Sequence, residues 1–163
     1  STNAVLILPI MKEAKTVINP DLLEKYKEYA FTKKNTKDFV DGSIGILELN
    51  KKGLELDFEI GSLVYSLMLR IRGLLMIKAI INKISYSKSL LFDYLENYSF
   101  SKEKIEELYK IYSNERNNIR VRKNELVNKN DIIKLIVIAE NLLKEAKNSL
   151  KWARRNIEKA LKV

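Results

Sequence analysis

Turn-forming residues are scarce in this chain. Five glycines and two prolines serve 163 residues, too few for the many tight turns of an all-β protein of this size, so helices are favoured. The apolar spacing agrees with this. Val64, Leu67, Ile71, Leu74 and Ile81 recur at helical intervals on a segment running from Asp57 or Ile60 to about Asn82. That segment is apolar on nearly every side, which predicts a central position in a bundle. Arg70, Arg72 and Lys78 interrupt it and argue against a transmembrane span.

The remaining chain divides in the same way. Residues 1–36 read as an N-terminal helical arm, with Asn19-Pro20-Asp21 as a start signal and Leu22, Leu23, Tyr26 and Tyr29/Ala30 on one stripe of a short helix. Lys33-Lys34-Asn35-Thr36 reads as a polar break. Residues 37–163 form the expected bundle. Within it, residues 38–60 admit two readings. Leu54, Leu56, Phe58 and Ile60 alternate with Glu55, Asp57 and Glu59, as a hairpin strand would. Alternatively, a helix runs from Lys37 to Lys52 with Val40, Ile44 and Leu47 inward and Gly53 as its stop. The helix is the favoured reading, although Gly42 and Gly45 weaken it unless they let a neighbour approach closely. A short helix is expected from Ser87 or Ser89 to Glu96. Ser101 should cap the next, which carries Ile105, Leu108, Tyr109 and Tyr112 and continues through Glu115–Val121. After Asn128-Lys129-Asn130, Asp131 should cap a last helix from Ile132 to about Leu161. At 1.5 Å per residue it spans about 45 Å, so its end beyond Ala146 should project and pack on another chain or on the arm.

Composition then excludes whole classes of chemistry. The chain has no histidine and no cysteine. It cannot form a disulfide, a Cys/His zinc site, a cysteine nucleophile or a Ser-His-Asp triad. The absence of cysteine and of a signal-peptide core points to the cytosol. No cofactor or metal is expected. The net charge of +9 makes polyanions the first partner class to consider. Much of it lies in the basic amphipathic tail, Lys147–Lys162, which suits a partner helix, a nucleic-acid contact with Trp152 stacking, a membrane surface or a plain packing seam.

A second basic cluster, Arg116-Asn117-Asn118-Ile119-Arg120-Val121-Arg122-Lys123, ends the helix that begins at Ser101. Arg116 and Arg120 would share a helical face and could grip phosphate. The alternative is a solvated helix end closed by Glu115 or Glu125 on Arg122. Arg70 and Arg72 either snorkel or pair with Glu55, Asp57, Glu106 or Glu115, or one of them, Arg70 or Arg72, faces the same cleft as Arg116. The tyrosines at 26, 29, 94, 98, 109 and 112 follow helical spacing and are read as core and core-edge residues rather than as a stacking platform.

Three passages give a family resemblance. "FVDGSIGILELNKKG" (39–53), "GSLVYSLMLRIRGLLMIKAIINKISYSKSLL" (61–91) and "IEELYKIYSNERNN" (105–118) resemble the helices of HEPN domains, the helical partners of minimal nucleotidyltransferases. The resemblance implies an all-α, HEPN-like up-and-down helical bundle. It also implies a homodimer whose paired motifs line a basic cleft, with a nucleotidyltransferase partner chain in a toxin–antitoxin or defence setting. The family's ribonuclease motif is an Arg, a polar residue, and a His after four to six intervening residues. Arg116 and Asn117 match its first two positions, but Val121, Arg122 and Lys123 occupy the places where His would fall. None of these replaces imidazole near neutral pH. Nor does any tyrosine after Arg116 match the one that some relatives use for adenylylation. The resemblance therefore leads to a protein that binds RNA or a nucleotide without cleaving it, through Arg116, Asn117, Arg120, Arg122, Lys123, Arg70 and Arg72. An active ribonuclease with an altered motif and a purely structural interaction module are the alternatives.

Overall fold

The computed structural model describes residues 33–82, 84–117, 119 and 127–160, with side chains for those between 36 and 149. The arm over residues 1–32, and with it the short helix expected there, lies outside the described residues. Five helices carry the fold: α1 (Lys33–Glu55), α2 (Ile60–Ile81), α3 (Lys88–Glu96), α4 (Lys102–Arg116) and α5 (Lys129–Ala160). No strand occurs among the described residues. The hairpin reading of 38–60 gives way to the helix.

The packing partners fix the topology. Gly53 lies against Leu63 and Gly73 against Phe39, so α1 and α2 are antiparallel. Tyr65 stacks on Tyr112, and Glu115 lies on Gly61, so α4 also opposes α2. Lys78 pairs with Glu145 and Asp57 with Lys129, so α5 runs parallel to α2. The result is an up-down-up-down bundle in which α2 touches α1, α4 and α5, and the short α3 packs on α4. Val64, Leu67, Ile71 and Leu74 of α2 are fully enclosed, together with Leu108 of α4 and Leu135 and Ala139 of α5. Ile81 is exposed at the end of α2, and Ile44 of α1 is also exposed rather than inward. The α2 helix is long and apolar enough to cross a membrane, but 56 % of its most apolar window is buried inside the bundle.

Helix α1 is longer at both ends than its sequence suggests. The polar run Lys33–Thr36 is its first turn, not a break. Gly53 is not its stop. The helix ends instead on a Schellman motif centred on Asp57, whose φ is 57°. The Phe58 N–H donates back to the Gly53 carbonyl at 2.8 Å, the long bond that defines the motif. Gly53 is needed for a different reason: a Cβ there would lie 2.9 Å from the Phe58 ring. The strand-like alternation of 54–60 thus belongs to a helix end, a two-residue turn and a second helix start. Gly42 and Gly45 face open space, so they bring no helix closer. Gly73 does that, since its absent Cβ leaves room for the Phe39 ring.

Polar capping sets the other ends. Ser87 accepts from the Leu90 N–H at 3.1 Å, and Ser101 accepts from the Lys104 N–H at 3.3 Å. The last helix is capped by Asn128, not by Asp131. Asn128 Oδ1 accepts from the Asp131 N–H at 3.2 Å, while Asp131 Oδ2 accepts from the Asn128 N–H at 3.0 Å. This reciprocal capping box places Asp131 three residues inside the helix. Lys104 Nζ of α4 also donates to the Asp131 carboxylate at 2.8 Å, tying the box to the bundle. Ala146 is buried, and the backbone of α5 stays helical for 14 residues beyond it, about 21 Å at 1.5 Å each.

Candidate functional site

Two arginines two residues apart on α2 point away from each other, because a helix turns 100° per residue. Arg70 faces α1. Its guanidinium lies 5.2 Å over the Phe39 ring, its Nε is buried without a hydrogen-bond partner, and burial lowers its pKa. Arg72 faces α4. Its Nη1 donates to the Tyr112 hydroxyl at 3.0 Å, and its guanidinium lies 5.9 Å over the Tyr86 ring. The carboxylates expected to neutralise this pair do not. Asp57 pairs with Lys129, Glu115 lies on Gly61, and Glu55 and Glu106 are exposed. No ion pair joins Arg70, Arg72 or Arg116 to a carboxylate among the described residues.

Around Arg72 the aromatic rings are continuous. Phe92 of α3 meets Tyr109 of α4 edge to face at 5.6 Å. Tyr109 meets Tyr112 at 5.8 Å, and Tyr112 stacks on Tyr65 of α2 at 5.7 Å and 19°. Lys88 places its ammonium 4.3 Å from the centre of the Tyr109 ring and 4.8 Å from that of Phe92. Tyr112 is buried, whereas Tyr65, Tyr86, Phe92 and Tyr109 are half-buried at the edge of the core. Burial raises the Tyr86 hydroxyl to about 12, so it is protonated and neutral at physiological pH. The Arg72 charge therefore meets tyrosine hydroxyls and ring faces, and no carboxylate among the described residues. Such contacts stabilise a cation by about 0.5–2 kcal/mol.

Arg116 is the last residue of α4, one turn beyond Tyr112, and it is exposed. Asn117 caps the helix: its N–H reaches the carbonyls of Ser113 and Asn114, each at 3.1 Å, and it is exposed too. Ile119 lies outside the helix, with its N–H on the Asn114 carbonyl at 2.9 Å. The expected continuation of the helix through Val121 therefore fails, and helical spacing no longer relates Arg116 to Arg120. Arg120, Arg122 and Lys123 lie outside the described residues. Of the sequence-predicted set, the structure places Arg72 between α2 and α4 on Tyr112, leaves Arg116 exposed at the end of α4 one turn beyond Tyr112, and sends Arg70 to α1.

Sequence reasoning missed Tyr65, Tyr86, Lys88 and Phe92. Tyr65 and Tyr112 are far apart in the chain, and the only local signal was the recurrence of rings at 109 and 112. A cleft of about 340 Å³ opens elsewhere, between α1 and α5, lined by Ile44, Leu47, Glu48, Glu140, Leu143 and Lys144 among others. None of the predicted site residues lines it. Its charges are of both signs, and Lys51 bridges Glu48 and Glu140 at 3.1 and 2.7 Å, so it has little pull on an anion. No group of three or more carboxylates that could hold a metal ion comes together among the described residues.

Comparison with protein-family models, with curated proteins and with solved structures finds no match to this chain.

Proposed function

We propose that this is a non-catalytic, HEPN-like helical protein that binds RNA on the face where α2 and α4 meet. One observation carries this reading. Arg72 is a half-buried cation with no carboxylate partner among the described residues, held at the surface by Tyr112 and Tyr86, and the exposed Arg116 lies one turn further along α4. Arginine keeps its charge and binds phosphate with two parallel donors, so a cationic face without counter-ions suits a polyanion. The net charge of +9 supports the same partner. In the HEPN resemblance Arg116 and Asn117 stand at the first two motif positions, and the missing histidine removes the general base. A homodimer with its two copies of Arg116 about a shared cleft, paired with a nucleotidyltransferase, is the assembly this reading calls for. Light scattering at micromolar concentration tests the dimer, and a monomeric mass excludes it.

The binding test is a salt titration of affinity for a single-stranded RNA. Each phosphate contact contributes about 0.7 to the slope of log K against log salt. The double variant Arg72→Met, Arg116→Ala should weaken binding and flatten that slope by about 1.4. Unchanged affinity and slope would exclude this face.

The length of α5 favours a second reading, a protein-interaction module. The helix continues about 21 Å beyond the buried Ala146, and its basic amphipathic sequence there suits a contact with another chain. Removal of residues 147–163 should abolish partner capture under this reading.

A further inference from the structure

We infer that the half-buried rings of Phe92 and Tyr109, at one end of a series that continues through the buried Tyr112 to Tyr65, form a stacking platform for unpaired bases, so that the RNA recognised at this face is single-stranded. This rests on the RNA-binding reading above and specifies its substrate. Three observations carry it. First, the rings are continuous, with centroid separations of 5.6, 5.8 and 5.7 Å across three helices. Second, Tyr109 and Phe92 are only half-buried, and the group over both rings is the Lys88 ammonium, at 4.3 and 4.8 Å. A long exposed lysine is displaced from a ring far more cheaply than a packed side chain. Third, the cations Arg72 and Lys88 flank the rings, and no ion pair joins either to a carboxylate among the described residues.

Together these features supply both halves of single-strand recognition. Bases stack on aromatic faces, and the sugar–phosphate chain follows the cations. A base settling on Tyr109 takes the place of the Lys88 ammonium, which is then free to move to the adjoining phosphate. A duplex offers phosphates but keeps its base faces stacked internally, so it can use only the cations. The half-burial that makes these residues look like ordinary core edge also serves the platform, because a ring anchored on one side loses little freedom when a base covers the other.

The experiment uses the full chain and three fluorescein-labelled probes: a 12-nucleotide single-stranded RNA, its duplex, and an abasic strand of equal length and charge. Base–aromatic stacking corresponds to a preference of about 10- to 100-fold for the base-bearing strand over the abasic one. Tyr109→Leu should collapse that ratio to within about threefold, since the cations remain but the ring does not. A variant that keeps the ring guards against misfolding. Tyr109→Trp, in a Trp152→Phe background that removes the only native tryptophan, should be quenched by the base-bearing strand and not by the abasic one. Equal affinity for all three probes, or quenching by both strands, overturns the platform while leaving the RNA-binding reading intact. No measurable affinity for any probe overturns both.

Discussion

Gly73→Ala tests the close approach of α1 to α2, and two opposing effects set its outcome. In an unobstructed helix interior, alanine is favoured over glycine by about 1 kcal/mol. At Gly73, however, the new Cβ would lie 2.1 Å from Cζ of Phe39, with two further ring carbons at 2.6 and 3.0 Å. The ring is 2 % exposed and carries the Arg70 guanidinium 5.2 Å from its centre, so it has no free rotamer to swing into. Either α1 must move off α2 or the ring must leave its well. Such overpacking costs about 1–3 kcal/mol, and the depth of this overlap puts it at the upper end. Subtracting the propensity gain leaves a net loss of about 1–2 kcal/mol. For a chain of this length that lowers Tm by about 3–6 °C. The matched controls are Gly42→Ala and Gly45→Ala on α1, where nothing lies within 4 Å. Each should gain up to about 1 kcal/mol. Urea unfolding followed by circular dichroism, with m unchanged, reads all three. Phe39→Leu should restore much of the loss in the Gly73→Ala background, a coupling that a double-mutant cycle isolates. If Gly73→Ala proves as stable as Gly42→Ala, the packing argument for α1 against α2 is wrong.

Four further outcomes follow from the same structure. Asn50 is buried and donates to the Ile46 carbonyl at 2.7 Å and to Ser66 Oγ at 2.9 Å, so Asn50→Leu should cost about 1–3 kcal/mol in urea unfolding, and much less when Ser66→Ala is added. Asp57 holds a φ of 57° and makes only an exposed ion pair with Lys129, so Asp57→Gly should stabilise the fold by about 0.5 kcal/mol. The Tyr86 hydroxyl is raised from 10.0 to about 12, chiefly by burial. Its contribution is complete below pH 10 and is lost as pH rises toward 12, with a slope of about 1.4 kcal/mol per pH unit; Tyr86→Phe should flatten unfolding curves over that window alone. Purified protein should leave RNA intact, and Arg116-dependent degradation would restore the ribonuclease alternative.

How legible the fold was depends on the range of the interactions that decide it. The cap at Ser101, the start of α3 near Ser87 and the interior stripe of α2 follow from residues within a few positions of one another, and the sequence shows them. Gly53 misled because a glycine after an apolar run normally ends a helix, whereas here Phe58 requires the space and Asp57 makes the left-handed turn. Two acceptors adjoin the start of α5, and only the structure shows that Asn128 caps while Asp131 reaches back. At the candidate site, the two-residue spacing of Arg70 and Arg72 already implied opposite faces. Their partners did not follow from spacing, because Tyr112 stands 40 residues from Arg72 and is neutral where a carboxylate was expected. Arg116 was found from composition, but its relation to Arg120 assumed a helix that Asn117 terminates.

That termination, with the box at Asn128 and Asp131, gives the bundle a modular seam. The N–H of Asn117 closes α4 on its own carbonyls, and α5 is capped from within and tied to Lys104. Lengthening a connection between two fixed ends costs only about 0.6 kcal/mol per doubling. Both ends of that connection are therefore set by capping bonds of the helices themselves, and an added residue between them should cost the scaffold little.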